Sequence, residues 1–454
     1  MTPHIGRRHA ALLALPGIVA VAVLAPTAPA GATSLPNAVQ RWNDVAGQVA
    51  IAACLSPGND PLHESRMYAM TALAAHDALG AINRRYAAYA SHPSGGHGAD
   101  PASAVAAASR TALLATITHL PEPFVGCEGP ARQIVDDAYA AELALVPDGP
   151  SQDRGVAIGI AAAEAVIDTR VDDGSDTPLF VDAAGYEQGT APGEWRFTPD
   201  RPFAFAPGWG EVRPFAIRGA SLFHVAPAYS LHSRAYARDL AEVKALGGDG
   251  VTTPSSRTPD QTEAARFWIE SSPLQWNRIG RTVALKRGLD LWESARMFSL
   301  LDMALADGYV ASFAVKYDHP FWRPITAIRE AGTDGNGRTS PDPTWTPLDT
   351  TPPIPDHDSA HGVQGGAAAT VLASVMGKDA VSFTTCSLTL PEGQQCDDAS
   401  PTLRSYASFS QAATENANSR VWVGYHFPHA SEVGLAHGIR IGDQVAGRML
   451  PAIR

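Results

Sequence analysis

Three short blocks in the last third of the chain place basic side chains beside histidines. In chain order they are KYDHPFWRP (316–324), DHDSAHG (356–362) and SRVWVGYH (419–426). Arginine binds the oxygens of an oxyanion with its planar fork, lysine adds a point charge, and histidine can bond to the central atom or move protons. The blocks therefore predict one oxyanion site. Its candidate side chains are Lys316, Arg323, Ser359, His361, Arg420 and His426.

The third block needs a bend if its cation and its imidazole are to meet. Arg420 and His426 are six residues apart, so on a straight helix they would point about 120° away from each other. Gly424 lies between them and lets the backbone leave the helix. In the second block, Ser359 is a suitable helix N-cap, and a helix N-terminus offers free N–H groups to an anion. We therefore expect the blocks to converge on one small ligand.

The spacings K-x6-R-P, S-x-H and S-R-x5-H, in this order, resemble a known superfamily. Type 2 phosphatidic-acid phosphatases and vanadium-dependent haloperoxidases carry K-x6-R-P, P-S-G-H and S-R-x5-H-x3-D. The closer resemblance is to bacterial exported haloperoxidase-like proteins, and it extends to FWRPITAIRE (321–330), DPTWTP (342–347) and SYASFSQAATENANSR (405–420). The resemblance implies an all-α fold, built from helical bundles with the site at one bundle end. Abundant alanine and few aromatic residues also favour packed helices.

The resemblance implies a ligand and a role for each basic residue of the site. Lys316, Arg323 and Arg420 would hold the oxygens of vanadate, and phosphate could occupy the same place. Ser359 and the amide of Ala360 would add hydrogen bonds to these oxygens. The cofactor expected from the resemblance is therefore vanadate.

The resemblance assigns the chemistry to two histidines and one lysine. His361 would be the general acid or base. His426 would be the vanadate ligand, or the phosphohistidine nucleophile in a phosphatase. Lys316 would polarise hydrogen peroxide taken up by vanadate, and attack by a halide would then give hypohalous acid. Side chains around the oxyanion would tune this reaction, and Trp322, Phe321, His319, His357 and Tyr425 are the candidates.

Two positions depart from the superfamily pattern. Position 360 is alanine where the pattern has glycine, but an amide remains. Position 430 is alanine where the pattern has the aspartate that would orient and charge-balance the nucleophilic histidine of a phosphatase. Its absence weakens the phosphohistidine interpretation unless another side chain replaces it. The candidates for that replacement are His429, Glu432 and Glu415.

Three functions stay open on the sequence alone. The first is a vanadate-dependent haloperoxidase acting on halide, hydrogen peroxide and an organic acceptor. The second is an exported phosphomonoesterase that hydrolyses a phosphoester in the same pocket, and vanadate would inhibit it. The third is a non-enzymatic binder of phosphate or other oxyanions. Vanadate should activate the first and inhibit the second, so one assay separates them.

Residues 1–30 have the features of a secretory signal peptide. Arg7 and Arg8 form a charged start, residues 11–25 an apolar stretch, and Ala28-Pro29-Ala30 a cleavage site. The apolar stretch is short for a membrane span, so we expect cleavage and export to the extracellular side. No later segment is expected to reach spanning length, and the mature chain is therefore expected to lack a membrane span.

Net charge argues against nucleic acid as a partner. The whole chain has a formal charge of −12, and loss of residues 1–30 removes two arginines and no acid, which gives −14. An acidic exported protein is a poor match for a polyanion. The cations of the three blocks are therefore a local feature. The sequence does not indicate an oligomeric state.

Four cysteines predict two disulfides, because an even number in an exported chain favours pairing. We expect Cys386 to pair with Cys396 across the loop between them, and Cys54 to pair with Cys127 and join the N-terminal helices. A zinc site is the alternative, but no C-x-x-C spacing supports it.

Apolar periodicity and turn signals divide the mature chain into two regions. Residues 31–215 form an N-terminal helical region that ends in an irregular segment rich in aromatic residues, proline and glycine (176–225), which we expect to cover a core or to line a mouth. Residues 216–454 form the catalytic region. The expected helices lie near 60–83, 101–119, 129–146, 154–175, 223–246, 258–270, 293–320, 359–377, 400–418 and 430–448.

Overall fold

Helices account for most regular structure in the computed structural model, which describes residues 35–219, 223 and 225–453. The signal peptide predicted for residues 1–30 lies outside them. The helices are α1 (Ala38–Ala52), α2 (Pro61–Ile82), α3 (Pro101–Ile117), α4 (Glu128–Leu143), α5 (Pro150–Asp168), α6 (Arg234–Leu246), α7 (Pro259–Phe267), α8 (Ser272–Arg287), α9 (Leu291–Asp318), α10 (Pro324–Arg329), α11 (Ala360–Met376), α12 (Phe409–Trp422) and α13 (Pro428–Arg448). Two antiparallel strand pairs join β1 (Phe180–Val181) to β2 (Ala204–Phe205) and β3 (Phe383–Cys386) to β4 (Leu403–Tyr406). The predicted all-α class is confirmed.

Capping side chains set the start of several helices. Asp60 accepts hydrogen bonds from the amides of Leu62 and His63 at the start of α2. Thr258 and Gln261 form a reciprocal capping box on α7. Both helices also carry proline in the first turn, where its missing N–H is not needed.

Two of the predicted helix starts are wrong, and one helix was missed. The helix expected from about residue 400 begins at Phe409, because β4 occupies the preceding residues and pairs with β3. The helix expected from about residue 223 begins at Arg234, where the Ser233 side chain caps it. Helix α8 was not predicted, because buried polar side chains interrupt its apolar pattern.

Helix α9 runs through the core and packs against α2, α8, α11 and α13. Among the described residues, it is the one helix long and apolar enough to cross a membrane by length and composition. The expectation that no later segment reaches spanning length is therefore wrong. However, 89% of its most apolar stretch is buried inside the protein, as in the core helix of a protein that does not use it as a span.

Helices α11 and α13 pack so closely that their backbones are in contact. A Cβ on Gly438 would lie 1.9 Å from the carbonyl oxygen of Val363, and a Cβ on Gly366 would lie 2.3 Å from a carbonyl oxygen of α13. Neither position has room for a side chain. This contact brings together the starts of the two helices, where the amide of Ser359 donates to the carbonyl of Ala430 at 2.9 Å.

Both predicted disulfides are present. Cys54 bonds to Cys127 across 73 residues, and Cys386 bonds to Cys396 across 10 residues. The first joins the end of the α1 region to the start of α4, and the second closes the loop after β3. All four cysteines are paired in this way, so none is a free thiolate that could bind zinc.

The irregular aromatic segment lies against the loops that lead to the predicted site. The amide of Trp195 donates to the carbonyl of Pro320 at 3.0 Å, and that of Phe205 donates to the carbonyl of Pro353 at 2.9 Å. Leu35–Arg454 form one compact unit. The boundary between residues 215 and 216 stays a prediction.

A carboxyl group in α9 is buried without a counter-ion. The Asp302 side chain is fully buried, one oxygen accepts from the Asn277 amide at 2.7 Å, and the other oxygen has no partner among the described residues. Burial raises the pKa of Asp302 from 3.8 to about 8. The folded state therefore binds a proton here more tightly than the unfolded chain does.

We predict that Asp302→Asn flattens the dependence of stability on pH. Because folding raises the pKa of Asp302, the protonated carboxyl contributes fully to the free energy of unfolding below about pH 4. This contribution is lost as the pH rises to about 8. The free energy of unfolding falls by up to about 1.4 kcal/mol per pH unit in this range. Asparagine keeps the acceptor for Asn277 but does not titrate. Denaturant unfolding at pH 5 and pH 8 should show a smaller loss of free energy in the variant than in the wild type. Asp443→Asn, on the exposed side of α13, is the control, and equal losses in all three proteins would contradict the prediction.

Candidate active site

Five of the predicted site residues line a single cavity of about 580 Å³. They lie before α10, at the start of α11, in the last turn of α12 and in the turn that precedes α13. These residues are Arg323, Ala360, His361, Arg420 and His426. The predicted convergence of the three blocks is therefore present in the fold.

Gly424 produces the bend that the third block requires. Its φ is 86°, which favours glycine, and a Cβ here would lie 2.7 Å from the carbonyl oxygen of Gly247. The chain turns back so that the amides of Tyr425 and His426 both donate to the carbonyl of Arg420, at 3.0 and 3.2 Å. The turn brings the guanidinium and the imidazole into the wall of the same cavity.

Arg323 is held by carbonyl oxygens and keeps one nitrogen without a partner. Its Nε donates to the carbonyl of Ile354 at 2.6 Å, and its Nη1 donates to the carbonyl of Tyr425 at 2.8 Å. Nη1 also lies 2.9 Å from Nε2 of His426. Nη2 is buried and makes no hydrogen bond to any described residue.

Arg420 is arranged in a similar way. Its Nη1 donates to the carbonyl of Trp268 at 2.8 Å, and its guanidinium lies 4.8 Å from the centre of the Tyr425 ring. Its Nε is buried and has no partner among the described residues. Burial lowers the pKa of both guanidinium groups to about 10, so both remain cations at neutral pH.

The two unpartnered N–H groups indicate the kind of ligand that the cavity accepts. A buried donor without an acceptor destabilises the fold by about 1–3 kcal/mol, and by more when the group is charged. An oxyanion supplies both the acceptor oxygens and the opposite charge. The donors of Arg323 and Arg420 therefore fit vanadate or phosphate.

His426 has a carboxylate partner that the sequence interpretation missed. Its Nδ1 lies 3.0 Å from Oδ1 of Asp356, and both side chains are buried. Burial, followed by the charges of Arg323 and Lys316, lowers the pKa of His426 well below its usual range. Burial raises the pKa of Asp356 to about 7, although the same two cations oppose the rise. We infer a neutral imidazole that donates Nδ1–H to Asp356 and has a lone pair on Nε2 that faces Nη1 of Arg323.

The three residues expected to replace the missing aspartate at position 430 do not do so. Glu415 binds Arg404 and the indole of Trp268, and His429 bonds to the carbonyl of Pro227. Glu432 is exposed on α13. The expectation was wrong because the carboxylate comes from the second block instead of from the residues that follow the histidine.

Lys316 and Ser359 are adjacent to the cavity but do not line it. Nζ of Lys316 is fully buried and donates to the carbonyls of Pro355 and Asp356 at 2.9 and 3.0 Å. Burial and the charge of Arg323 lower its pKa to about 7. The hydroxyl of Ser359 caps α11 by accepting from the amide of Gly362. Direct contact of Lys316 and Ser359 with a ligand stays a prediction.

His361 lies in the first turn of α11, where its ring is near two neutral polar side chains. Its Nδ1 is 3.4 Å from the Ser272 hydroxyl and 3.4 Å from the Asn416 side-chain oxygen. Burial, followed by the charge of Arg420, lowers the pKa of His361 well below its usual range. The neutral imidazole can accept a proton. Asn416 lies in the block 405–420, whereas no motif pointed to Ser272.

Of the five residues expected to tune the site, Tyr425 alone lines the cavity. Its hydroxyl donates to Asp349 at 2.7 Å. The Trp322 ring is buried in a cluster outside the cavity. The His357 ring stacks on His429 and bonds to the carbonyl of Ala226.

Known proteins resemble this chain in sequence and in fold. The family model described as the VCPO second helical-bundle domain matches residues 296–453, which include every predicted site residue. This part of the chain is similar to the superfamily of vanadium-dependent haloperoxidases and type 2 phosphatidic-acid phosphatases. A curated member of this superfamily, the vanadium chloroperoxidase of Curvularia inaequalis, is 31% identical over 149 residues. The match covers 27% of this chain and 24% of that relative, so it spans about a quarter of the relative's length.

Solved structures of this superfamily share the fold over most of the chain. A bacterial vanadium-dependent iodoperoxidase matches with a TM-score of 0.74 and 24% identity, and the match covers 92% of this chain and 97% of that one. The holo form of a bacterial vanadium-dependent chloroperoxidase matches with a TM-score of 0.69 and 17% identity, over 92% of this chain and 98% of that one. At these identities the likeness concerns the fold.

We predict that Asp356→Asn affects two similar anions in opposite ways. Loss of the carboxylate leaves more positive charge in the pocket, so phosphate should bind at least as tightly as it does to the wild type. Vanadate can also bond to Nε2 of His426, which the carboxylate orients, and it should bind about 10–100-fold more weakly. Titration calorimetry with each anion measures both effects.

The matched control for this prediction is Asp349→Asn. Asp349 is another aspartate near the site and lines the cavity, but it bonds to the hydroxyl of Tyr425 and not to His426. Its substitution should leave the ratio of the two affinities unchanged. Equal weakening of phosphate and vanadate by Asp356→Asn would show that Asp356 only supports the local fold.

Proposed function

We propose that this protein is an exported haloperoxidase that binds vanadate at His426 and oxidises a halide with hydrogen peroxide. The observation that carries the proposal is the pair of buried, unpartnered guanidinium donors beside a neutral imidazole. The donors match the oxygens of vanadate, and the lone pair of Nε2 matches its metal atom. A positive helix N-terminus at Ala360 adds to the attraction for an anion.

The proposed chemistry combines hydrogen peroxide, a halide and a proton into hypohalous acid and water. Vanadate, when bound, supplies the Lewis-acidic centre that makes peroxide reactive toward a halide. His361 is neutral in the free protein, so it can accept a proton from incoming peroxide. Arg323 and Arg420 stabilise negative charge on the oxygens without a change of position. Lys316, with a pKa of about 7, can gain a proton as negative charge develops nearby.

Export is part of the proposal. The charged start, apolar stretch and cleavage site within residues 1–30 support it. The two disulfides support it as well, because such bonds persist mainly in oxidising compartments.

A phosphatase is the second candidate, and the Asp356–His426 pair is the observation that favours it. The pair supplies the carboxylate whose absence at position 430 argued against a phosphohistidine. Nε2 of His426 would attack phosphorus, and the bond to the leaving oxygen would break. That leaving oxygen needs a proton, however, and the low pKa of His361 makes it a poor donor in the free protein. The haloperoxidase ranks first because the relative and the solved structures that the chain resembles are vanadium-dependent haloperoxidases.

We predict that vanadate activates the protein. The signal-free chain should be assayed with iodide and peroxide, by formation of triiodide, and with p-nitrophenyl phosphate, each with and without vanadate. Triiodide formation should require vanadate and should vanish in His426→Ala. His361→Ala should keep vanadate binding but reduce turnover by about 10²–10⁴-fold. His429→Ala, which alters a histidine outside the cavity, should resemble the wild type.

Other results would identify the alternatives. Phosphoester hydrolysis that vanadate inhibits, without halide oxidation, would establish the phosphatase. Tight phosphate binding without either activity would indicate a non-enzymatic binder.

A further inference from the structure

A continuous series of aromatic rings lines one side of the cavity. Phe180 is 41% exposed at the outer end, and its ring centre lies 5.1 Å from that of Phe203 and 5.6 Å from that of Phe205. Phe205 lies 6.3 Å from Phe313, which lies 6.3 Å from Tyr309. All five residues line the cavity. We call this set the aromatic wall.

The inner end of the aromatic wall reaches the oxyanion site. Tyr309 lines the same cavity as His361, Arg420 and His426. Its ring is 2% exposed, and its hydroxyl is buried without a hydrogen-bond partner among the described residues. Ser272 comes near enough to influence the pKa of Tyr309, but burial dominates and raises it far above its usual range. The hydroxyl is therefore a neutral donor in the cavity, and the Ser272 hydroxyl is its neighbour in the protein.

The cavity is too large and too apolar for an oxyanion alone. A volume of about 580 Å³ falls in the range of about 300–1,000 Å³ that holds a drug-sized molecule, whereas an oxyanion has five heavy atoms. Halide and peroxide have only one or two heavy atoms and do not fill this space. The remaining space fits a third, organic reactant.

We propose that the aromatic wall binds an electron-rich aromatic acceptor, such as a phenol, which is halogenated inside the cavity. Aromatic rings pack well on one another at centre distances of about 4.5–7 Å, and the wall already has this spacing. The Tyr309 hydroxyl would donate to the hydroxyl oxygen of the acceptor. The inference rests on the proposed haloperoxidase activity and adds the class of its organic substrate.

The halogen transfer balances without a further reactant. Hypohalous acid, formed from halide and peroxide, gives its halogen to a ring carbon. The carbon–halogen bond forms as the halogen–oxygen bond breaks. The proton displaced from that carbon joins the released hydroxide as water.

Binding tests the aromatic wall without turnover. We expect 2-naphthol to bind the vanadate-free protein, and Phe180→Ala or Phe203→Ala to weaken it about five- to tenfold, because each removes a stacking partner. Both side chains are at least partly exposed, so the variants should fold. Phe197→Ala is the matched control, because Phe197 lies in the same segment but packs on Tyr186 and Trp195 outside the cavity. It should bind 2-naphthol as the wild type does.

Turnover separates this inference from the proposed function. With bromide, peroxide and vanadate, Phe180→Ala and Phe203→Ala should raise KM for bromination of 2-naphthol about five- to tenfold. Their formation of triiodide from iodide, which needs no organic acceptor, should be unchanged. If all variants form triiodide as the wild type does and also bind 2-naphthol equally well, the proposed role of the aromatic wall is wrong. The proposed haloperoxidase activity would still stand. Absence of triiodide formation would overturn the haloperoxidase and with it the halogenation step.

A second probe tests the preference for aromatic rings. Decanol has an apolar chain and a hydroxyl group but no ring. If decanol binds as tightly as 2-naphthol and is weakened equally by Phe203→Ala, the wall is a general apolar surface and the inference is wrong. Tyr309→Phe should weaken 2-naphthol but not naphthalene, because only naphthol has an oxygen for the Tyr309 hydroxyl.

Discussion

Three cations are buried beside one another, and the rest of the site depends on how the protein tolerates them. Arg323 and Lys316 are held by carbonyl oxygens of residues 354–356, and Arg420 by the carbonyl of Trp268. Carbonyl oxygens satisfy the donors but do not cancel the charge, as carboxylates would. Excess positive charge therefore remains in a water-poor pocket, where electrostatic interactions are strong. Burial and this charge lower the pKa of both histidines, so both imidazoles are neutral in the free protein and each keeps a nitrogen lone pair.

One short segment joins these parts. Asp356 binds the imidazole of His426 with its side chain and the ammonium of Lys316 with its carbonyl. Its neighbour Asp358 accepts from the hydroxyl of Ser312 at 2.7 Å and lies 2.7 Å from Nδ1 of His437. Segment 354–358 is thus fixed to α9, α13 and the loop before α10. A carboxylate in this segment can orient His426 although 70 residues separate them.

The sequence predicted the parts of this site whose residue types and spacing are distinctive, and it missed those fixed by packing. Local sequence pattern predicted the basic blocks and the bend at Gly424. The even number of cysteines predicted the two disulfides. Asp356 gave no such signal, because an aspartate in a loop has many possible partners and the distance to His426 is set by the tertiary fold. Helix α8 was missed for a related reason, since its polar residues are buried by contacts that no local period reveals.

The close contact of α11 and α13 fixes the anion pocket, whereas the aromatic wall is held less firmly. Backbone atoms meet at Gly366 and Gly438, so the relation between His361 and His426 is fixed by main chain and not by exchangeable side chains. Most of the aromatic wall instead projects from an irregular segment that short strands and single hydrogen bonds attach to the body. The fold therefore holds the anion pocket rigidly and leaves most of the aromatic wall on a segment that can change. The wall could be redesigned for another organic ligand while the anion pocket stays intact.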